Sequence, residues 1–198
     1  MDKQELEALL TELDAALIKA FPGPEPIEML VVGGACLLFA GISTRHTEDI
    51  DVIITDFLGA GSVSLVYNPG KDEMKLRKII AKIGRSRGFK GDKAMFLNDD
   101  CAPFLVEMGN IPPVRLWGSY QKLRLYLPAD LSYILACKLV SARVKKDYGD
   151  IAALRELLGV SSRGHAENIV NRYFPNWALL EDTYDISSNL DEIFGTQG

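Results

Sequence analysis

The stretch Val31-Val32-Gly33-Gly34-Ala35, followed beyond Gly41 by Arg45-His46-Thr47-Glu48-Asp49-Ile50-Asp51-Val52, sets short apolar runs against paired glycines and paired acids. Met29 to Val32 reads as a strand that Gly33-Gly34 breaks, Ala35 to Ala40 as a short helix, and Asp49 to Thr55 as a second strand. Residues two apart on a strand share a face, so Asp49 and Asp51 aim together while Ile50 and Val52 turn to the core. Two carboxylates side by side repel, and a divalent cation relieves them. Mg²⁺ (or Mn²⁺) suits such hard oxygen ligands and commonly shares them with substrate phosphates. Gly33 and Gly34 let a phosphate approach the backbone without a Cβ clash, and the helix start after them adds favourable partial charge. Arg45 is close enough in sequence to hold phosphate or brace the aspartates. Taken alone, an Asp-x-Asp at a strand edge is a common turn or cap, and a Gly-Gly can simply end a strand. Their joint occurrence points to nucleotide and metal chemistry.

Working outward, residues 2–20 carry Leu6, Leu9, Leu10, Leu13 and Leu17 at helical spacing, and the prolines of 21–26 stop that helix. Residues 56–70 read as loop, with a Gly59-Ala60-Gly61 run that lacks the last glycine of a dinucleotide fingerprint. A helix over 71–87 follows. Val114–Leu116 and Leu123–Leu127 read as strands around a turn at Gly118-Ser119. Helices come next at about 129–143, capped by Asp130, and at 147–158, 162–173 and 187–194. The order predicts an α+β chain with three parts: an N-terminal helix and linker over 1–26, a core over 27–128 and a helical C-terminal part over 129–198.

With 198 residues, 47% apolar and 25% charged, composition excludes a disordered chain, a collagenous repeat and a coiled-coil rod. No apolar run approaches the ~20 residues needed to cross a bilayer, so no membrane partner is expected. The acidic, helical N-terminus does not read as a signal peptide. Cys36, Cys101 and Cys137 lack Cys-x-x-Cys spacing and fit free thiols of a cytoplasmic protein. Two distant histidines, His46 and His165, argue against zinc. The net charge of -5 excludes a generic basic nucleic-acid binder, yet nine Lys or Arg fall within 71–93, Lys75, Lys78 and Lys82 among them. Such a stretch could grip a polyanion or simply form a solvated helix face.

The pattern Gly-Gly, then Arg-x-Thr-x-Asp-Ile-Asp, resembles the nucleotidyltransferase superfamily with a polymerase-β-like core, in the style of the minimal bacterial group that includes AbiEii-type toxins of type IV toxin–antitoxin systems. Downstream, Lys138-Leu139-Val140-Ser141-Ala142-Arg143 and Lys146-Asp147-Tyr148-Gly149-Asp150 are similar to that group's Lys-Leu-x-Ala-x-Arg and Arg-Asp-x-x-Asp signatures. The resemblance spans about residues 28–158. It implies a nucleotidyltransferase-like mixed sheet flanked by helices, with Asp49 and Asp51 holding Mg²⁺ on an NTP. Gly33, Gly34, Arg45, Thr47 and Arg143 would bind the nucleotide, Lys138 would contact phosphate, and Asp150 would position or deprotonate an acceptor hydroxyl. The basic stretch over 71–93, read as a polyanion grip, puts Lys75, Lys78 and Lys82 on an RNA or tRNA acceptor. The implied role is NMP transfer from an NTP to RNA, protein or a small molecule, with a cognate antitoxin as partner if the chain is a toxin. A small-molecule nucleotidyltransferase and a catalytically silent nucleotide- or partner-binding module are the alternatives. Many relatives add a third carboxylate on a later strand. The strands expected here hold none, and Glu107, Asp99 and Asp100 are the nearest acids.

Overall fold

The computed structural model describes residues 1–57, 63–65, 71–141 and 144–195. The chain forms two units, Met1–Ala102 with Val114–Leu127, and Pro103–Pro113 with Pro128–Gly198. Their elements are those of an α+β protein.

In the first unit, α1 spans Lys3–Ala20. It starts at a capping box: the Glu5 backbone N–H donates to Asp2 Oδ1 at 2.8 Å, and the Asp2 N–H donates to Glu5 Oε2 at 2.8 Å. Its five leucines are all buried, as their spacing predicts. Strand β1 (Ile27–Val31) leads into α2 (Gly33–Phe39), and β2 covers Ile50–Phe57. Strand β3 (Val63–Leu65), helix α3 (Lys71–Ser86), a 3₁₀ turn at Gly91–Ala94 and the short β4 (Leu97–Asn98) follow. Strands β5 (Val114–Ser119) and β6 (Leu123–Pro128) complete the sheet. The strand order is β3-β2-β1-β6-β5, with β4 beside β2. β1 runs antiparallel to β2 and parallel to β6, so the sheet is mixed.

Local sequence misplaces several boundaries. The glycines form the first turn of α2 rather than preceding it, with Gly33 at φ +62°. The segment expected as loop continues β2 to Phe57 and contributes β3; Gly59, Gly61 and the rest of 58–62 lie outside the described residues. β5 runs through Gly118-Ser119, and the turn falls at 120–122 instead. The cause is distant in sequence. Buried Asp14 of α1 accepts from the backbone N–H groups of Gln121 (3.3 Å), Lys122 (2.7 Å) and Leu123 (2.8 Å), which pins the turn there. Lys122 is buried as well, its ammonium donating to the Gly23 carbonyl at 2.7 Å.

The second unit is helical: α4 (Ala102–Met108), α5 (Ser132–Val140), α6 (Val144–Leu158), α7 (Arg163–Tyr173), a 3₁₀ turn at Trp177–Leu180, α8 (Glu181–Tyr184) and α9 (Ile186–Phe194). α5 is apolar almost all round and is packed by α6, α7 and α9. Its Tyr133 is fully buried and meets Tyr173 edge-on at 5.4 Å between ring centres. α5 is shorter than the apolar run suggested and ends at Ser141, whose ψ of 140° is extended. α5 and α6 are packed neighbours. Asp130 caps α5 from one residue further out, taking the Ser132 N–H at 2.9 Å and its hydroxyl at 2.6 Å on Oδ1.

Candidate functional site

The glycine bend and the acid pair meet in the first unit. Val31 of β1 pairs with Val52 of β2, and the Val32 N–H donates to the Asp51 carbonyl at 2.9 Å. That register carries the chain straight from β1 over Asp51 into α2. An ideal Cβ on Gly33 would fall 2.3 Å from Asp51 Oδ2, so only glycine admits the carboxylate there. A Cβ on Gly34 would lie 3.3 Å from Thr47 Oγ1 and 3.9 Å from the Arg45 guanidinium. Thr47 Oγ1 donates to the Asp49 carbonyl at 3.0 Å, and the Thr47 N–H donates to the Met1 carbonyl at 3.0 Å. The N-terminal ammonium in turn donates to the Thr47 carbonyl, which holds the segment ahead of Asp49 from both sides. Gly33, Gly34, Arg45, Thr47 and Asp51 are thus gathered within a few ångströms.

Asp49 sits just before β2 and Asp51 within it. Both are half-buried, while Ile50 and Val52 are fully buried, as the alternation requires. β4 lies parallel to this end of β2, pairing Leu97 with Ile50 and Asn98 with Asp51. Asn98 Nδ2 donates to Asp49 Oδ2 at 3.2 Å. Alongside is a cavity of about 330 Å³ lined by Glu48, Asp49, Asp92, Lys93, Met95, Asn98 and Asp100. The 3₁₀ turn that supplies Asp92 and Lys93 is seated closely on α3: a Cβ on Gly84 would collide with the Ala94 carbonyl at 2.0 Å.

Among the described residues, no group of three or more His, Cys, Asp or Glu side chains converges as a ready ligand set. Of the acids nearest to a third-carboxylate role, Asp99 is ion-paired with Arg77 at 2.6 Å, Asp100 lines the cavity, and Glu107 lies on α4 in the second unit. Asp49 and Asp51 offer hard carboxylate oxygens of the kind that Mg²⁺ prefers.

The downstream motif falls in the second unit. Lys138 Nζ lies 2.8 Å from Asp147 Oδ1 and 2.8 Å from Asp150 Oδ2, and all three side chains are buried. Arg143 lies outside the described residues.

On α3, Lys75 donates to the Ala20 carbonyl and lies 4.7 Å over the Phe21 ring, so it braces the end of α1. Lys78 and Lys82, one helical turn apart, are exposed. Arg87 pairs with Glu12 at 2.7 Å and Lys93 with Glu48 at 3.8 Å. The basic stretch is therefore part structural and part surface. Sequence reasoning missed Asn98, because nothing in a two-residue strand announces parallel pairing. It also left unassigned the network in which Asp130 Oδ2 accepts from the Tyr173 hydroxyl at 2.7 Å and Arg172 at 3.2 Å.

No family model, curated protein or solved structure matches this chain. Among the described residues no helix is long and apolar enough to cross a membrane.

Proposed function

We propose that the chain is a Mg²⁺- or Mn²⁺-dependent nucleotidyltransferase of the polymerase-β-like kind, moving an NMP group from an NTP to a hydroxyl acceptor. The observation that carries this reading is the seating of the Asp51 carboxylate directly against Gly33, with Arg45 and Thr47 at Gly34. A mixed sheet with helices, entered through a glycine bend at its acid pair, supports the same reading. Asp49 and Asp51 would hold the cation. When bound, the ion screens the triphosphate and stabilises charge on the phosphoryl oxygens. The resemblance seats the phosphates at Gly33 and Gly34; the room that Gly33 leaves is taken by the Asp51 carboxylate, and Arg45 can donate a charge-assisted pair of hydrogen bonds to the phosphates. The acceptor oxygen attacks the α-phosphorus, forming a P–O bond as the bond to pyrophosphate breaks and the acceptor proton leaves to a base. The resemblance gives that positioning or base role to Asp150 and phosphate contact to Lys138. Acceptor contact falls to the basic stretch, through the exposed Lys78 and Lys82, with Lys75 engaged at the end of α1.

RNA or tRNA, with growth arrest as a toxin and a cognate antitoxin as partner, is the leading acceptor reading. One observation favours the second, a small-molecule acceptor. The cavity beside Asp49 has ligand size and is lined by four carboxylates against Lys93 alone, which suits a cationic hydroxyl compound over a polyanion.

The test is incubation with each α-³²P NTP, Mg²⁺ and either total cell RNA or an aminoglycoside-type polyamine. Label should enter one acceptor class and be lost in Asp49→Asn and Asp51→Asn variants that still fold. Transfer undiminished in both variants would remove the acid pair from the mechanism.

A further inference from the structure

We propose that Asn98 is a positioning residue for the cation site, holding the Asp49 carboxylate in place through its side-chain amide. The inference rests on the nucleotidyltransferase reading of Asp49 and Asp51. β4 has only two residues, and its parallel pairing with β2 sets Asn98 beside Asp51. The Ile50 N–H donates to the Phe96 carbonyl at 2.7 Å, so the main chain fixes this alignment whatever side chain stands at 98. The amide is held at both ends. Nδ2 donates to Asp49 Oδ2 at 3.2 Å, and Oδ1 accepts from the Asp100 N–H at 3.3 Å. A carboxylate at one end and an N–H at the other admit a single orientation of the amide. Asp49, Asn98 and Asp100 all line the same cavity, so the bond lies where a solute can reach it.

The physical consequence follows from position. Asp49 stands outside the regular strand, where its side chain would rotate more freely than that of Asp51. A donor fixed on Oδ2 removes that freedom and steadies the carboxylate as a ligand. An amide does this without adding a third negative charge to the pair, which a carboxylate at 98 would do. The rival role for Asn98 is to tie β4 to β2, and that role alone would not move cation affinity once the fold is intact.

The test is Mn²⁺ titration of the chain, with free Mn²⁺ read by electron paramagnetic resonance and folding checked by circular dichroism. Asn98→Ala should weaken Mn²⁺ binding about tenfold or more while keeping the fold. Asn98→Leu, which keeps most of the side-chain volume but has no donor, should weaken it likewise. Parent-like Mn²⁺ affinity in folded Asn98→Ala overturns the proposal. If Asn98→Ala does not fold, parent-like affinity in folded Asn98→Leu overturns it instead. A parent that shows no saturable Mn²⁺ binding sinks the cation site itself, and this inference with it.

Discussion

The carboxylate of Asp51 stands where a side chain on Gly33 would have to be, 2.3 Å from the Cβ that any other residue would place there. Gly33 also holds φ at +62°, a backbone state that costs an L-residue about 1–2 kcal/mol. Gly41 has a similar φ of +74° but open space around it. Gly33→Ala should therefore lose clearly more stability in urea unfolding than Gly41→Ala, because Asp51 must move as well. Under the proposed function, Gly33→Ala should also abolish label transfer, whereas Gly41→Ala retains it. Equal losses for the two variants would show that Asp51 yields at no cost.

Asp14 is an acid on α1 whose work lies on a turn more than a hundred residues away. Asp14→Ala leaves the N–H groups of Lys122 and Leu123 without their acceptor in a buried setting. The expected cost is about 2–4 kcal/mol, since each stranded donor carries a desolvation penalty. Urea denaturation followed by circular dichroism measures it.

Lys138 is enclosed by Asp147 and Asp150. Lys138→Met should destabilise the protein by about 3–5 kcal/mol, because it removes the ammonium that lies between two buried carboxylates. The triple variant with Asp147→Asn and Asp150→Asn should recover part of the loss. A Lys138→Met protein as stable as the parent would show that the ammonium contributes nothing to folding.

Burial pushes the Asp130 carboxyl up, but hydrogen bonds from Ser132 and Tyr173, with the Arg172 charge, outweigh it and hold the group below its usual range. A lowered folded value means that Asp130 contributes stability at neutral pH and loses it as pH falls through that value. Tyr173 is shifted the other way, by its own burial and by the Asp130 carboxylate that accepts from it, against an opposing bond from Ser132. A raised folded value means a contribution lost as pH climbs past the ordinary phenol range. The gap in urea midpoint between parent and Asp130→Asn should thus be open at neutral pH and close below about pH 4. A gap that widens with acid contradicts the assignment.

If α3 grips RNA, the exposed residues Lys78 and Lys82 supply the charge, and Lys75 is occupied with Ala20 and Phe21. Reversing Lys78 and Lys82 to Glu should weaken tRNA retention. It should also flatten the dependence on salt by about one unit of slope for each phosphate no longer neutralised. Retention that does not respond to salt in the parent leaves α3 as a solvated face.

Much of this was legible along the chain. Apolar spacing located α1, α3, β1, β2 and the C-terminal helices, because burial of one face imposes its period on nearby residues. Alternation turned Ile50 and Val52 to the core and left Asp49 and Asp51 half-buried, and the Gly-Gly marked the end of β1. What only the tertiary structure decided depends on partners remote in sequence. Asp14 moved the turn after β5 to 120–122, α5 stopped at Val140, and Lys138 was drawn between two aspartates. The same folding brought Asp51 onto Gly33 and Asn98 onto Asp49. A strand of two residues has no period to read, and a hydrogen bond between side chains 49 positions apart leaves no local trace, so those pairings exist only once the sheet has closed.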